Sequence, residues 1–342
     1  MKKLMSLSMA LVLALLLAAC GGDGASPGNS PAPSDGGTNT EAVELVFAHI
    51  FATDSMEDKC AHMFGQLLEE YSGGAYKVTV YPAGQLGAMA EIIEQQQVGT
   101  ATFQIISTTA LASISNYAAV DSWPYMFTNR AEFEKAYASE AGKAWLNKVA
   151  EETGFTLLAP MYKGIRQTFV NFDADTIEDL NNCKLRVAGL QPVLDCFNCL
   201  GVAPTPMNTS EVYTAMQQNV VEGMEIEVST AASMALPEVT KTVMMTNHGA
   251  ANYAILVPSS YFNALSEADQ EAFNRAAAEA GTWLSDMVEE EDAKGLEAFE
   301  AAGCKIVYPD YSKWEEASFG AYAEMYPDLA EYAVAMRDAA KG

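Results

Sequence analysis

The sequence predicts an α/β fold in two lobes, with parallel-rich sheets wrapped by helices and one long helix spanning the lobes. Three observations carry this. The folded body, from about residue 41 to Gly342, has about 300 residues, more than one hydrophobic core usually organises. Its opening alternates strand, helix, strand, helix, strand, the pattern of a parallel sheet covered by helices. Residues 266–302 read as a single Ala- and Glu-rich helix, long enough to reach from one lobe to the other.

In order, residues 44–50 (ELVFAHI) read as a buried strand. Residues 56–72 form a helix, because Met63, Phe64, Leu67, Leu68 and Tyr71 recur at helical spacing, and Gly73-Gly74 ends it. Residues 76–81 (YKVTVY) alternate as a strand does. Pro82 and Gly84 make a turn, residues 89–97 a second helix and residues 101–106 a third strand. The pattern then predicts one helix over 133–152 and a strand over 154–159. Residues 164–171 and 183–188 read as strands carrying Arg166 and Arg186, with a capping-box spacing (TIED, 176–179) between them. Residues 191–200 and 210–218 are helical, 220–226 turn into a strand, and 252–257 form another. The long helix has a candidate kink at Gly281. Residues 304–308 are a strand, and the last 30 or so residues are helical. No internal repeat is present.

The first residues have the pattern of an export leader. Lys2 and Lys3 precede an apolar run from Leu4 to Ala19, which is short for a membrane span. The run ends Leu17-Ala18-Ala19-Cys20, similar to a bacterial lipobox, so residues 1–20 are expected to be a lipoprotein signal with Cys20 as the lipidated residue. Residues 21–41 are Gly-, Ser- and Pro-rich and too polar to bury a core, which predicts a flexible tether. The net charge of −26 excludes nucleic acid as a partner and favours solubility.

No short catalytic motif is present: no nucleophile elbow, S-x-x-K, H-E-x-x-H or phosphate-binding loop. His49, His62 and His248 are the only histidines and lack metal-ligand spacing, so neither a metal nor a cofactor is expected. Cys60, Cys183, Cys196, Cys199 and Cys304 are an odd set, and the lone C-x-x-C at 196–199 fits packing better than redox or zinc chemistry. Arginine is the informative residue. Of five, Arg130, Arg275 and Arg337 read as surface charges, whereas Arg166 and Arg186 lie in apolar strands. A cation there needs an anion, and a guanidinium matches a carboxylate with two parallel hydrogen bonds. By these residues alone, a ligand carboxylate, an internal ion pair and an exposed strand face all remain open.

The ordered segments LVFAH (45–49), VTVYP (78–82), QLG (85–87), WPYMF (123–127), GIRQT (164–168), KLRV (184–187), EVYTAMQ (211–217), VEGME (221–225) and TNH (246–248) resemble the solute-binding receptors of tripartite ATP-independent periplasmic (TRAP) transporters. The resemblance spans about residues 43–320. It implies a periplasmic-binding-protein-like, venus-flytrap body. Lobe I would be 42–163 with about 252–290, and lobe II 164–251 with about 291–342. It implies a small organic acid as ligand, its carboxylate gripped by Arg186 with Arg166 assisting, and Thr209, Ile226 and His248 along the cleft. His49 is a further candidate contact. Ile226 and Glu227 depart from the Asn and Pro usual in the family, and Ile226 suggests a ligand with an apolar portion. The implied partners are the membrane subunits of a TRAP transporter, and the implied place is the extracytoplasmic face of the membrane. An ABC-type binding lipoprotein, a secreted enzyme and a sensor subunit remain as alternatives.

Overall fold

A computed structural model describes residues 41–100 and 102–342. The leader, Cys20 and most of the tether lie outside the described residues. Among the described residues nine strands form one mixed sheet, in the order Tyr76–Tyr81, Val43–Ala48, Phe103–Ile106, Thr242–Pro258, Phe155–Val170, Gly223–Glu227, Lys184–Val187 and Ala203–Pro206, with Lys305–Val307 beside Thr242–Pro258. The first flank is as the sequence predicts. β1 (Val43–Ala48) pairs in parallel with β2 (Tyr76–Tyr81) and with β3 (Phe103–Ile106). The connecting helices are α1 (Met56–Tyr71) and α2 (Met89–Gln97). Ser55 caps α1 by accepting from the Asp58 amide, and Glu57 and Asp58 place negative charge in the first turn, where the helix dipole favours it.

The residues expected as one helix over 133–152 form two, α3 (Arg130–Ala138) and α4 (Glu140–Thr153). Ser139 breaks the run: its Oγ donates to the Ala136 carbonyl at 2.6 Å and accepts from the Gly142 amide at 3.1 Å. Only a glycine fits three residues further on, since a Cβ on Gly142 would lie 2.4 Å from the Ala136 oxygen. Conversely, the two short strands expected over 154–171 are one, β4 (Phe155–Val170), with irregular register near Ala159, Lys163 and Gln167. The strand expected at 252–257 is the end of the longer β8 (Thr242–Pro258).

These two long strands tie the halves together. β8 pairs antiparallel with β3 at its end and with β4 along most of its length, while β9 (Lys305–Val307) lies parallel to its beginning. β4 in turn pairs antiparallel with β7 (Gly223–Glu227), which opens the second parallel flank with β5 (Lys184–Val187) and β6 (Ala203–Pro206). Short helices α5 (Gln191–Cys199), α6 (Val212–Gln217) and α7 (Val228–Ser233) join these strands, and α8 (Ser259–Asn263) follows β8. The long helix α9 (Glu267–Ala301) runs unbroken through Gly281 for 35 residues, about 52 Å. Gly281 lets it approach Ala159 and Met161 of β4, and Gly295 lets it approach Val228 of α7, so one helix is seated on both flanks. The final pair, α10 (Ser312–Met325) and α11 (Pro327–Lys341), also touches both sides. Tyr322 packs edge-on to Trp123 and donates to the Pro192 carbonyl of α5, and Tyr332 meets Tyr117.

The close approach of β7 to β4 gives a direct check. A Cβ on Gly223 would lie 2.3 Å from the Phe169 carbonyl oxygen and 2.9 Å from Val170 Cγ1. Gly223→Ala should therefore cost about 1–3 kcal/mol by overpacking, read as a lower urea midpoint. An unchanged midpoint would mean that the two strands are not packed this closely.

Candidate functional site

Arg186 sits at the outer, parallel end of the sheet, on β5 between β7 and β6. It is 5% exposed, yet among the described residues its side chain bonds only to neutral oxygens: Nε donates to the Met207 carbonyl at 2.9 Å and Nη2 to Thr209 Oγ1 at 2.8 Å. No Asp or Glu among the described residues forms an ion pair with it. Burial pushes its pKa below the usual guanidinium value; Glu225 opposes that shift and Arg166 adds to it. A buried guanidinium without a carboxylate is costly, and its flat fork is suited to receive one from outside the protein.

Arg166 is in the opposite condition. Antiparallel pairing of β4 with β7 sets Arg166 across from Glu227 and Thr168 across from Glu225. Its Nη2 donates to Glu225 Oε1 at 2.9 Å, its Nε to Glu225 Oε2, and its Nη1 to Glu227 Oε1. The internal ion pair left open by the sequence is thus the state of Arg166. His248 extends the network, with Nε2 3.3 Å from Glu225 Oε2 and Nδ1 2.9 Å from Thr246 Oγ1, which reaches Thr168 Oγ1 at 3.1 Å. Burial works against the Glu225 charge, but Arg166 and His248 outweigh it and hold the carboxyl down at about 2.

The structure therefore brings Arg166, Arg186, Thr209 and His248 into one neighbourhood around Glu225. Ile226 alternates to the other face of β7 from Glu225 and Glu227 and packs in an apolar cluster with Phe169, Met224 and Phe299, so core residues meet its side chain. His49, fully buried at the end of β1, bonds through Nε2 to Asp58 Oδ1 at 3.1 Å; burial lowers its pKa while Asp58 opposes. Arg130 is not the free surface charge expected: it pairs with Glu134 on its own helix and reaches Asp286 on α9, with 19% of its side chain exposed. Cys60, Cys183, Cys196, Cys199 and Cys304 are all free thiols, and burial raises each of them, Cys60 and Cys183 to about 12. Such thiols are poor nucleophiles.

Sequence reasoning missed Glu227 and Glu225 as partners of Arg166, and the buried pair of Lys163 with Glu57 at 3.7 Å. Two acids at alternate strand positions are a signal only once the facing strand is known.

The Arg166 network sets a pH dependence. Because the folded-state pKa of Glu225 lies below its ordinary 4.5, its contribution is complete above about 4.5 and is lost as pH falls toward about 2. Glu225→Gln should lower stability at pH 7 by about 3 kcal/mol and flatten the loss across that acid window, read from urea midpoints at several pH values. Identical midpoints at pH 7 would contradict the network.

Comparison with known proteins agrees with this architecture. The family model for bacterial extracellular solute-binding proteins, family 7, matches residues 47–328. The C4-dicarboxylate-binding periplasmic protein DctP of Rhodobacter capsulatus is 30% identical over 291 residues, covering 83% of this chain and 87% of that protein. The sialic acid-binding periplasmic protein SiaP of Vibrio cholerae is 27% identical over 290 residues, 85% of this chain and 90% of that one. Among solved structures, a TRAP periplasmic solute binding protein from Roseobacter denitrificans with bound β-D-glucuronate superposes with a TM-score of 0.79 at 26% identity, covering 86% of this chain and 99% of that chain. With the family matched across the body and the fold matched across nearly the whole of a solved receptor, this chain belongs to the bacterial extracellular solute-binding proteins of family 7, the extracytoplasmic receptors of TRAP transport.

Proposed function

We propose that this receptor captures a small carboxylate between two lobes, with Arg186 as the carboxylate grip, and delivers it to the membrane subunits of a TRAP-type secondary transporter. The observation that carries the reading is the buried Arg186, bonded among the described residues only to Met207 and Thr209, while its neighbour Arg166 is held by two glutamates. The relatives support the chemistry, since a C4-dicarboxylate, sialic acid and glucuronate all bear a carboxylate. Thr209 holds one edge of the guanidinium, and Arg166 with His248 and Glu225 braces the strands behind it. Lobe I is residues 42–163 with about 252–290, and lobe II is 164–251 with about 291–342. The flanks share β4, β8 and α9, so closure is a bend of these connections, and a solute that touches both lobes favours the closed state by its higher affinity for it. A receptor role without turnover is supported by the match to a family of extracellular solute-binding proteins.

Thermal shift against a panel of dicarboxylic, sugar, hydroxy, keto and amino acids should find at least one stabilising solute, because a ligand bound only to the native state raises the melting temperature. Arg186→Ala should weaken that solute by about 100-fold or more, and Arg186→Lys by less, since lysine keeps the charge without the fork. Undiminished affinity in Arg186→Ala would remove the grip assignment.

We further propose that the protein is held to the membrane through a lipid on Cys20, with residues 21–41 as the leash; the support is the leader pattern and the small residues before Cys20. Cys20→Ser should move the protein from the membrane fraction to the soluble extracytoplasmic fraction. Equal membrane retention of the two forms would refute the anchor.

A further inference from the structure

Arg186 belongs to a larger buried ionic group. Beyond Arg166, Glu225 and Glu227, Lys163 lies 3.7 Å from Glu57 and 3.5 Å from Thr230 Oγ1. Glu57, Lys163, Arg186, Glu225 and Glu227 are 7%, 2%, 5%, 1% and 3% exposed. The group is continuous: Gly164, next to Lys163, lies against both Glu227 and Asp292, and Asp292 Oδ1 accepts from the Ser229 amide at 2.8 Å. The group holds no spare positive charge: the three cations Lys163, Arg166 and Arg186 face the four acids Glu57, Glu225, Glu227 and Asp292. A carboxylate on Arg186 therefore adds negative charge to a group with no cation to spare, in a place where uncompensated charge is expensive.

Two atoms remain open for an incoming solute. Arg186 Nη1 donates no hydrogen bond among the described residues, since Nε and Nη2 carry the two that are made. Glu227 binds Arg166 through Oε1 alone, and its Oε2 accepts no hydrogen bond among the described residues. Glu227 is bonded to the Arg166 guanidinium, and Arg186 lies near enough to feel the charges of Glu225, Arg166 and Glu227.

We propose that the solute is a zwitterion, whose carboxylate completes Arg186 and whose ammonium group meets Glu227. The ammonium offsets the negative charge that a simple organic anion would add. This rests on the receptor reading above and narrows the solute class within it.

The test is titration calorimetry on the whole chain with pairs matched in carbon skeleton: glutamate against 2-hydroxyglutarate, 4-aminobutyrate against 4-hydroxybutyrate, 5-aminovalerate against 5-hydroxyvalerate. The amino member of at least one pair should bind about tenfold tighter or more than its hydroxy partner. Glu227→Gln should reverse the preference, weakening the amino acid and tightening the hydroxy acid, because it removes one negative charge. If hydroxy acids bind the natural protein as tightly as amino acids or tighter, and Arg186→Ala abolishes that binding, the zwitterion is overturned and the carboxylate receptor stands. If no pair binds while a dicarboxylic, sugar or keto acid does so through Arg186, the zwitterion is overturned and the carboxylate receptor stands; if binding survives Arg186→Ala, both readings fall. A preference for the amino acid that persists unchanged in Glu227→Gln overturns the role of Glu227. Should that variant fail to fold, the preference of the natural protein decides alone.

Discussion

The pairing of Arg166 with Glu225 and Glu227 is the constraint on which the site depends. Two carboxylates saturate one guanidinium, and they do so across an antiparallel strand pair whose register admits little slip. Because both acids are committed there, neither is drawn to Arg186, one strand away. A glutamate released from Arg166 would find in Arg186 a buried cation without a partner and could close the very group that a solute is meant to meet. The availability of one arginine is therefore a consequence of the saturation of the other.

The sheet makes that division of labour possible. β4 and β7 run antiparallel, so Arg166 and Glu227 project side by side from neighbouring strands. β5 runs parallel to β7 and ends early, so Arg186 sits where the strand gives way to loops and reaches Met207 and Thr209 beyond the end of β6. Ligand sites outside the carboxyl ends of parallel strands are a general property of open α/β sheets, where loops rather than ladder bonds occupy the space. Here the long antiparallel strands β4 and β8 carry that parallel flank out from the other one.

Much of this was legible before any coordinates. The opening strands and helices were readable because their apolar residues repeat at two and at 3.6, and α9 because small and acidic residues keep helical spacing for its whole length. Arg166 and Arg186 stood out because charged residues are rare inside apolar strands. What could not be read was register. The partners of Arg166 lie 59 and 61 residues away, and only the alignment of β4 on β7 brings them into contact, so the sequence could not tell a held guanidinium from an open one. The same limit hid the union of two short strands into β4, since bulges interrupt its alternation. The break at Ser139 was missed for a different reason: serine is tolerated within helices, and its role as a cap at both ends of a corner shows only when the backbone turns.

The free thiols have a consequence for how such a protein is made. Four of the five are sealed in the core and the fifth is half covered, so the finished fold shields them from oxidants. Before the core closes there is no such shield. A receptor matured outside the cytoplasm must then complete its packing faster than disulfide exchange can tie the wrong segments together, and its yield is set by a race between collapse and oxidation rather than by its final stability.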